Sequence, residues 1–183
     1  MGMPLPLPTY TVKQVRAFPQ DGQRYELVEG MLLVTPAPAS DHQVVVTRLL
    51  AALHGYLDPV GLAYGAGPGE IEMEPNLHLE PDVLVFPSRF RPGTRWADMS
   101  DWWLAVEVLS PSSRFYDRDY KRDAYLRVGV REVWLVDLSR RQVEISVTPG
   151  QAPARVTDML DWHPREMAAP FTLTLSTLFR DLL

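Results

Sequence analysis

Three runs of nearly continuous apolar residues stand out in the pattern of hydrophobic and polar positions. They occupy residues 82–86, 103–109 and 132–137. A strand that is covered on both faces reads as such a run rather than as an alternation of apolar and polar residues. We therefore predict three central strands, with residues 142–147 pairing beyond the third around a turn at 139–140.

Helical spacing and turn signals place further elements around these strands. Apolar residues at helical spacing predict a helix over residues 42–57, with Ser40 or Asp41 as its cap. Residues 24–35 read as a hairpin that turns at Glu29 and Gly30. The other predicted elements are helices over residues 11–18 and 113–128, strands over 61–65 and 70–74, and a segment over 171–179 that packs on the core. In the strand over residues 70–74, the glutamates are opposed to Ile71 and Met73.

These elements predict an α/β (α+β) protein, with a mixed β-sheet flanked by helices. The chain has 183 residues, of which 46% are hydrophobic and 22% charged, which is typical of one globular domain. We expect residues 1–183 to form that single domain, with an extended proline-rich tail over residues 1–9.

Composition also bears on the cellular environment in which the protein is expected to work. There is no cysteine, which excludes disulfides and thiolate metal sites and fits a reducing, cytoplasmic environment. No apolar run approaches the roughly 20 residues of a membrane span, and the first ten residues do not read as a signal peptide. We therefore expect no membrane association.

The charge balance is acidic. The net charge is −5, whereas a dedicated nucleic-acid binder usually presents a basic surface. Two arginine clusters could offset this balance locally, although an ordinary solvated surface explains them equally well. They are Arg89, Arg91 and Arg95, and Arg114, Arg118 and Arg122.

Two carboxylates occur in the central apolar runs. Glu107 lies inside one predicted strand and Asp82 opens another, 25 positions earlier. A buried carboxylate is costly unless it is paired or binds a cation. Each residue alone could be a strand-end acid that meets solvent or an arginine. Together, on consecutive strands of a meander, they could share a hard cation through oxygen ligands.

Lys121 is the third candidate. On the helix predicted after Glu107, it lies on or beside the inward face that carries Ala124 and Val128. A lysine there could be held by the carboxylates beneath it. The alternative is an ion pair with Asp117, four residues earlier, on a solvated face.

The chain resembles the Uma family of proposed bacterial restriction endonucleases, within the PD-(D/E)xK nuclease superfamily. The resemblance covers roughly residues 10–148, in the family's order. The segments that carry it are residues 25–30, 37–43, 81–83, 106–112 and 129–137, together with Asp117, Lys121 and Tyr125. The motif-bearing core spans about residues 24–148.

The resemblance implies a restriction-endonuclease-like fold and Mg²⁺-dependent (or Mn²⁺-dependent) hydrolysis of DNA phosphodiester bonds. Asp82, Glu107 and Lys121 would be the catalytic residues, and Asp82, Glu107 and Glu26 the metal ligands. Leu109 stands where the superfamily usually has its lysine, so that role passes to Lys121.

The resemblance also implies supporting residues and an assembly. Tyr125 would support Lys121, and His42 and Gln43 match a recurring pair for which capping or packing is an equal alternative. A homodimer or larger homo-oligomer is expected by analogy with nucleases that cut both strands. The competing hypothesis is a nuclease-like module that no longer cuts and serves in binding or regulation.

Overall fold

The computed structural model of the protein describes residues 9–111 and 113–182. Its strands are β1 (Arg24–Val28), β2 (Met31–Thr35), β3 (Ala63–Ala66), β4 (Ile71–Met73), β5 (Leu77–Leu79), β6 (Val83–Pro87), β7 (Leu104–Leu109), β8 (Val133–Asp137), β9 (Gln142–Ser146), β10 (Ala154–Val156), β11 (Met159–Trp162) and β12 (Phe171–Thr174). Its α-helices are α1 (Val12–Val15), α2 (Ser40–Leu57), α3 (Arg114–Tyr116), α4 (Arg122–Arg127) and α5 (Leu175–Leu178). Most of the predicted tail at residues 1–9 lies outside the described residues.

The main sheet has six strands in the order β10-β9-β8-β7-β6-β3. Strands β7 and β8 are parallel and the other neighbours are antiparallel, so the sheet is mixed, as predicted. Every residue of β6, β7 and β8 is buried. The three apolar runs are therefore the central strands, which confirms their assignment.

Both faces of this sheet are covered. On one face, α2 packs with Leu49 and Leu53 against a core that also contains Trp134. The C-terminal segment joins this layer through Phe171 and Leu175, as expected. The other face is covered by α4 and by β4 and β5 of a second sheet. Hydrophobic burial on two sides explains why the central strands carry so few polar residues.

The second sheet brings the N-terminal hairpin to the main sheet. Its order is β2-β1-β5-β4. The hairpin turns at Glu29 and Gly30, which both have positive φ, so that glycine is suited to this position. Strand β5 pairs with β1, and the chain then passes through residues 80–82 into β6. Asp82 therefore stands where the second sheet meets the main sheet.

A glycine loop packs closely beside that junction. A Cβ added to Gly67 would lie 2.6 Å from the backbone oxygen of Asp82, and one added to Gly69 would lie 2.4 Å from the Leu84 Cβ. Such distances leave no room for a side chain. The close approach of this loop to β6 therefore requires glycine at both positions.

Several local predictions are wrong. Helix α2 has Ala39 as its N-cap, with no side-chain cap, so neither Ser40 nor Asp41 caps it. The Asp41 carboxylate instead accepts a hydrogen bond from the His42 backbone N–H. In β4, Ile71 is buried as expected, but Glu72 is also buried and Met73 is exposed, because Glu72 faces charged partners inside the second sheet.

Strand β5 was not predicted, since it has only three residues. Among the described residues, no helix combines the length and the apolar character needed to cross a membrane.

Candidate active site

The pairing of β6 with β7 places Asp82 and Glu107 on one face of the sheet. Val83 is opposite Val106 in this antiparallel pair, and the same register continued by one residue sets Asp82 opposite Glu107. Directly opposite residues in an antiparallel pair project their side chains on the same face. The two acids are therefore neighbours across the strands.

Three nitrogen donors hold the Asp82 carboxylate. Arg24 Nη1 lies 3.1 Å from Oδ1, and Oδ2 lies 3.0 Å from His42 Nε2 and accepts a 2.9 Å hydrogen bond from the Val108 backbone N–H. Burial by itself would raise the pKa of Asp82. The His42 hydrogen bond and charge, with Arg24 and the Val108 amide, outweigh burial and lower that pKa. Asp82 is thus held ionised.

Glu107 is in a different environment. Its side chain is only 3% exposed, and its Oε1 lies 2.6 Å from Lys121 Nζ and 2.5 Å from the Tyr125 hydroxyl, which donates to it. Burial raises the pKa of Glu107 well above its usual value, and repulsion from Asp117, Asp82 and Glu26 adds to the rise. Lys121 opposes it.

Lys121 lies at the centre of this acidic set. It is 2% exposed, and Nζ lies 2.8 Å from Glu26, 2.6 Å from Glu107 and 3.5 Å from Asp117. Burial lowers the pKa of Lys121, but the three carboxylates outweigh it and hold that pKa well above the ordinary value. The ion pair with Asp117 exists, yet it is buried rather than on a solvated face.

An irregular helical turn presents Lys121 to the acids. The predicted helix over residues 113–128 consists of α3, a π-helical turn over Asp117–Lys121, and α4. The Arg122 backbone N–H donates to the Asp117 carbonyl, five residues back. Both Asp117 and Lys121 are buried in this turn. Single π-turns within helices are frequent at functional sites.

A cleft of about 290 Å³ opens above these residues. Arg24, Glu26, His42, Asp82 and Lys121 line it, together with the loop over residues 36–39. Glu107 does not line the cleft and is 2% exposed. A ligand in the cleft would therefore meet the lining residues, which include Asp82 and Lys121, rather than Glu107.

The supporting residues take different places. Tyr125 contacts Glu107 rather than the Lys121 ammonium, which is a change from the expected partner. His42 contacts Asp82 from the first turn of α2. Gln43 is exposed on the same turn, and its backbone oxygen accepts a hydrogen bond from Thr47.

The arginine clusters do not gather at the cleft. Arg118 binds Asp137 at 2.7 Å and Glu144 at 3.1 Å. Arg89 and Arg95 pair with acids of their own segment, Asp101 and Asp98. These arginines therefore neutralise the chain's own carboxylates.

Sequence reasoning missed Arg24 as a site residue. It lies two positions before Glu26 on β1, and side chains two apart on a strand share a face. That spacing was visible in the sequence. Its contact with Asp82 was not, because it depends on the pairing of β1 with β5, whose register places Leu27 opposite His78.

The donor chemistry of this set fits a hard divalent cation. Four buried carboxylates, Glu26, Asp82, Glu107 and Asp117, surround one lysine and one arginine. Asp117 Oδ2 is buried without a hydrogen-bond partner among the described residues. Oxygen ligands and surplus negative charge are what Mg²⁺ and Mn²⁺ prefer.

The carboxylates are nevertheless not gathered around one point. In the described part of the chain, the one group of three or more potential ligands within 4.8 Å of one another is Glu70, Glu72 and His78. Here the Lys121 ammonium lies between Glu26 and Glu107. The roles of Asp82, Glu107 and Glu26 as metal ligands remain predictions.

The fold is thus a mixed sheet flanked by helices, with a cluster of buried acids around one lysine. The family model described as "Putative restriction endonuclease" (Uma2) matches residues 12–177. The chain therefore belongs to the Uma2 family.

A solved structure is similar over nearly its whole length. It is that of "a putative nuclease belonging to DUF820" from Anabaena variabilis, with a TM-score of 0.72 and 18% sequence identity. The match covers 92% of this chain and 97% of that one, and at this identity it shows the fold alone. No curated protein matches the chain in sequence.

The charge surplus at Glu107 has a measurable consequence for stability. A carboxyl whose pKa is raised on folding binds protons more tightly in the folded state, so it favours that state at low pH. Stability is then lost as the pH rises above the unfolded value, near 4.5. We expect Glu107→Gln, measured with EDTA present, to raise the melting temperature by a few degrees at pH 8, with the gain shrinking toward pH 4.5.

The matched control is Glu29→Gln, because Glu29 is exposed and pairs with Arg127 at the surface. It should change the melting temperature little at either pH. If Glu107→Gln instead melts well below wild type at pH 8, then Lys121 requires the Glu107 carboxylate. That result would contradict a destabilising excess of negative charge at this site.

Proposed function

We propose that the protein is a metal-dependent endonuclease that hydrolyses phosphodiester bonds in DNA. The observation that supports this best is the buried contact of Lys121 with Glu107, on the sheet face that Asp82 shares. A lysine and two acids in this arrangement match the site residues that the family resemblance implies. The family description and the nuclease-like fold agree with the proposal.

Asp82 and Glu107 would hold Mg²⁺ or Mn²⁺, with Glu26 as a further ligand. When bound, the metal supplies Lewis-acid polarisation of the phosphate and lowers the pKa of an attacking water. Arg24 and His42 keep Asp82 ionised and fix its orientation, since both contact its oxygens. Tyr125 orients Glu107 through its hydroxyl.

Lys121 would stabilise negative charge at the reacting phosphate. Lys121 is among the residues that line the cleft, and it is almost wholly buried. A fixed ammonium in a site shielded from water stabilises developing charge without having to reorganise. Because its pKa is held high by three carboxylates, Lys121 serves as a cation and not as a base at neutral pH.

The same proposal includes the substrate, the oligomeric state and the cellular location of the protein. DNA is the proposed substrate, and a homodimer or larger homo-oligomer would set two sites against the two strands. The absence of cysteine agrees with a cytoplasmic location.

One observation favours the second candidate, a nuclease-like module that binds without cutting. Both Asp82 oxygens already accept from nitrogen donors, and Lys121 neutralises part of the acidic set. These contacts hold the Asp82 carboxylate in place without a metal. The net charge of −5 also gives no general attraction for DNA.

The first experiment compares nicking of supercoiled plasmid in Mg²⁺ and in Mn²⁺. Asp82→Asn should reduce nicking by at least about 100-fold, since even outer-shell partners of a metal are worth about 10–100-fold. It should remain folded, because the amide oxygen can still accept from the Val108 N–H. The matched control is Asp119→Asn, an exposed acid beside Lys121 in sequence, which should cut normally. Wild-type protein that binds DNA but does not nick it in either metal would establish the non-cutting module instead.

Substitutions of Lys121 distinguish an active nuclease site from a site that no longer cuts. Lys121→Ala should lose nicking and retain Mn²⁺ binding measured by calorimetry, because the lysine is not a ligand. Lys121→Arg should restore little, since a planar guanidinium cannot take the place of a compact ammonium among three carboxylates. Circular dichroism checks that each variant is folded. Full nicking by Lys121→Ala would refute the role given to this residue.

A further inference from the structure

A second group of ionisable side chains lies in the small sheet, outside the cleft. Glu72 on β4 is directly opposite His78 on β5, and Glu70 comes immediately before β4. One ligand atom from each of the three lies within 4.8 Å of the other two. None of the three lines the cleft that holds Asp82 and Lys121.

The two ring nitrogens of His78 have surroundings like those of a histidine that binds a metal. Its side chain is 8% exposed, and its Nε2 lies 3.3 Å from Glu80 Oε1. Its other nitrogen, Nδ1, has no hydrogen-bond partner among the described residues and faces Glu70 and Glu72, each at 3.6 Å. When Nε2–H donates to Glu80, Nδ1 turns a lone pair toward two carboxylates, which is unfavourable unless a cation or a proton lies between them.

Metal-binding histidines usually donate their second ring N–H to a carboxylate, which fixes the tautomer. Glu80 is placed to accept that hydrogen bond. The spacing also suits a small cation, because ligands about 2.0–2.1 Å from a tetrahedral zinc lie about 3.3–3.4 Å apart. The two 3.6 Å contacts of His78 need only a slight contraction, and the two carboxylates lie within 4.8 Å of each other.

We propose that Glu70, Glu72 and His78 form a binding site for a divalent transition-metal cation, of which Zn²⁺ is the representative. One imidazole and two carboxylates favour such a cation over Mg²⁺ or Ca²⁺, which prefer oxygen ligands alone. The fourth position is open to solvent or to a further ligand. This site is independent of the nuclease proposal, since it shares no ligand with it.

Arg16 occupies the approach to the site in this structure. Its Nη2 lies 2.7 Å from Glu72 Oε2 and 3.9 Å from Glu70 Oε1, and its side chain is 56% exposed. The guanidinium thus neutralises the carboxylates from the solvent side. A metal ion must compete with it, so removing Arg16 should favour metal binding.

The test is Zn²⁺ affinity, measured by competition with a chromogenic chelator, for the full chain and four variants. His78→Gln should weaken the tightest Zn²⁺ site by at least about 10-fold, since losing even an outer-shell partner of a ligand costs about 10–100-fold. Arg16→Gln should bind Zn²⁺ several-fold more tightly than wild type. His54→Gln, an exposed histidine that pairs with Asp58, is the control and should bind as wild type does.

Asp82→Asn assigns the binding to one site or the other. It should leave the Zn²⁺ affinity unchanged, and an excess of Mg²⁺ should not compete. Equal Zn²⁺ affinity in wild type, His78→Gln and Arg16→Gln would overturn the proposal, as would loss of binding in Asp82→Asn. If His78→Gln does not fold, Arg16→Gln still decides, because weaker or unchanged binding in that variant contradicts the proposal.

Discussion

The burial of Lys121 among three carboxylates is the interaction on which the rest of the site depends. Its ammonium contacts Glu26 from the N-terminal hairpin, Glu107 from the central strand β7, and Asp117 from its own helical turn. The hairpin and β7 are separate from this turn in sequence, and each must be in register for the charges to compensate. Misplacing the turn that carries Lys121 would leave buried carboxylates without a cation, and removing one partner of a buried ion pair typically costs about 3–5 kcal/mol.

The same set of buried charges does little to stabilise the folded state. Replacing a buried ion pair by well-packed apolar residues is often neutral or stabilising. Here the site instead buries more acids than bases. Burial, and in part repulsion from neighbouring carboxylates, raises the pKa values of Glu107 and Asp117. The proposed metal ion would bind this surplus of oxygen ligands. The surplus therefore supports the proposal of a metal-dependent activity independently of the family resemblance.

The central layer of the fold was predictable from the sequence because its signal is local. Strands β6, β7 and β8 are buried on both faces, so each is a continuous apolar run. Asp82 and Glu107 were conspicuous because one opens such a run and the other lies inside one. Their adjacency was expected from a meander, in which consecutive strands pair, and the register agrees. The assignment of the whole chain to one domain remains a prediction.

What the sequence did not reveal depends on contacts between distant segments. Arg24 reaches Asp82 because β1 pairs with β5, fifty residues away, and no local pattern specifies that pairing. Glu72 is buried against the alternation of its own strand because His78 and Arg16 face it. The π-turn before α4 likewise has no sequence signature, since helical spacing alone predicts a regular helix.

The measurement that tests the central claim most directly is a crystal structure with saturating Mn²⁺, in which the metal is located by its anomalous scattering. We expect an anomalous peak for Mn²⁺ that is bound by oxygens of both Asp82 and Glu107. The Lys121 ammonium should then no longer contact Glu107. A structure in which no peak forms there and Lys121 still contacts Glu107 would contradict it.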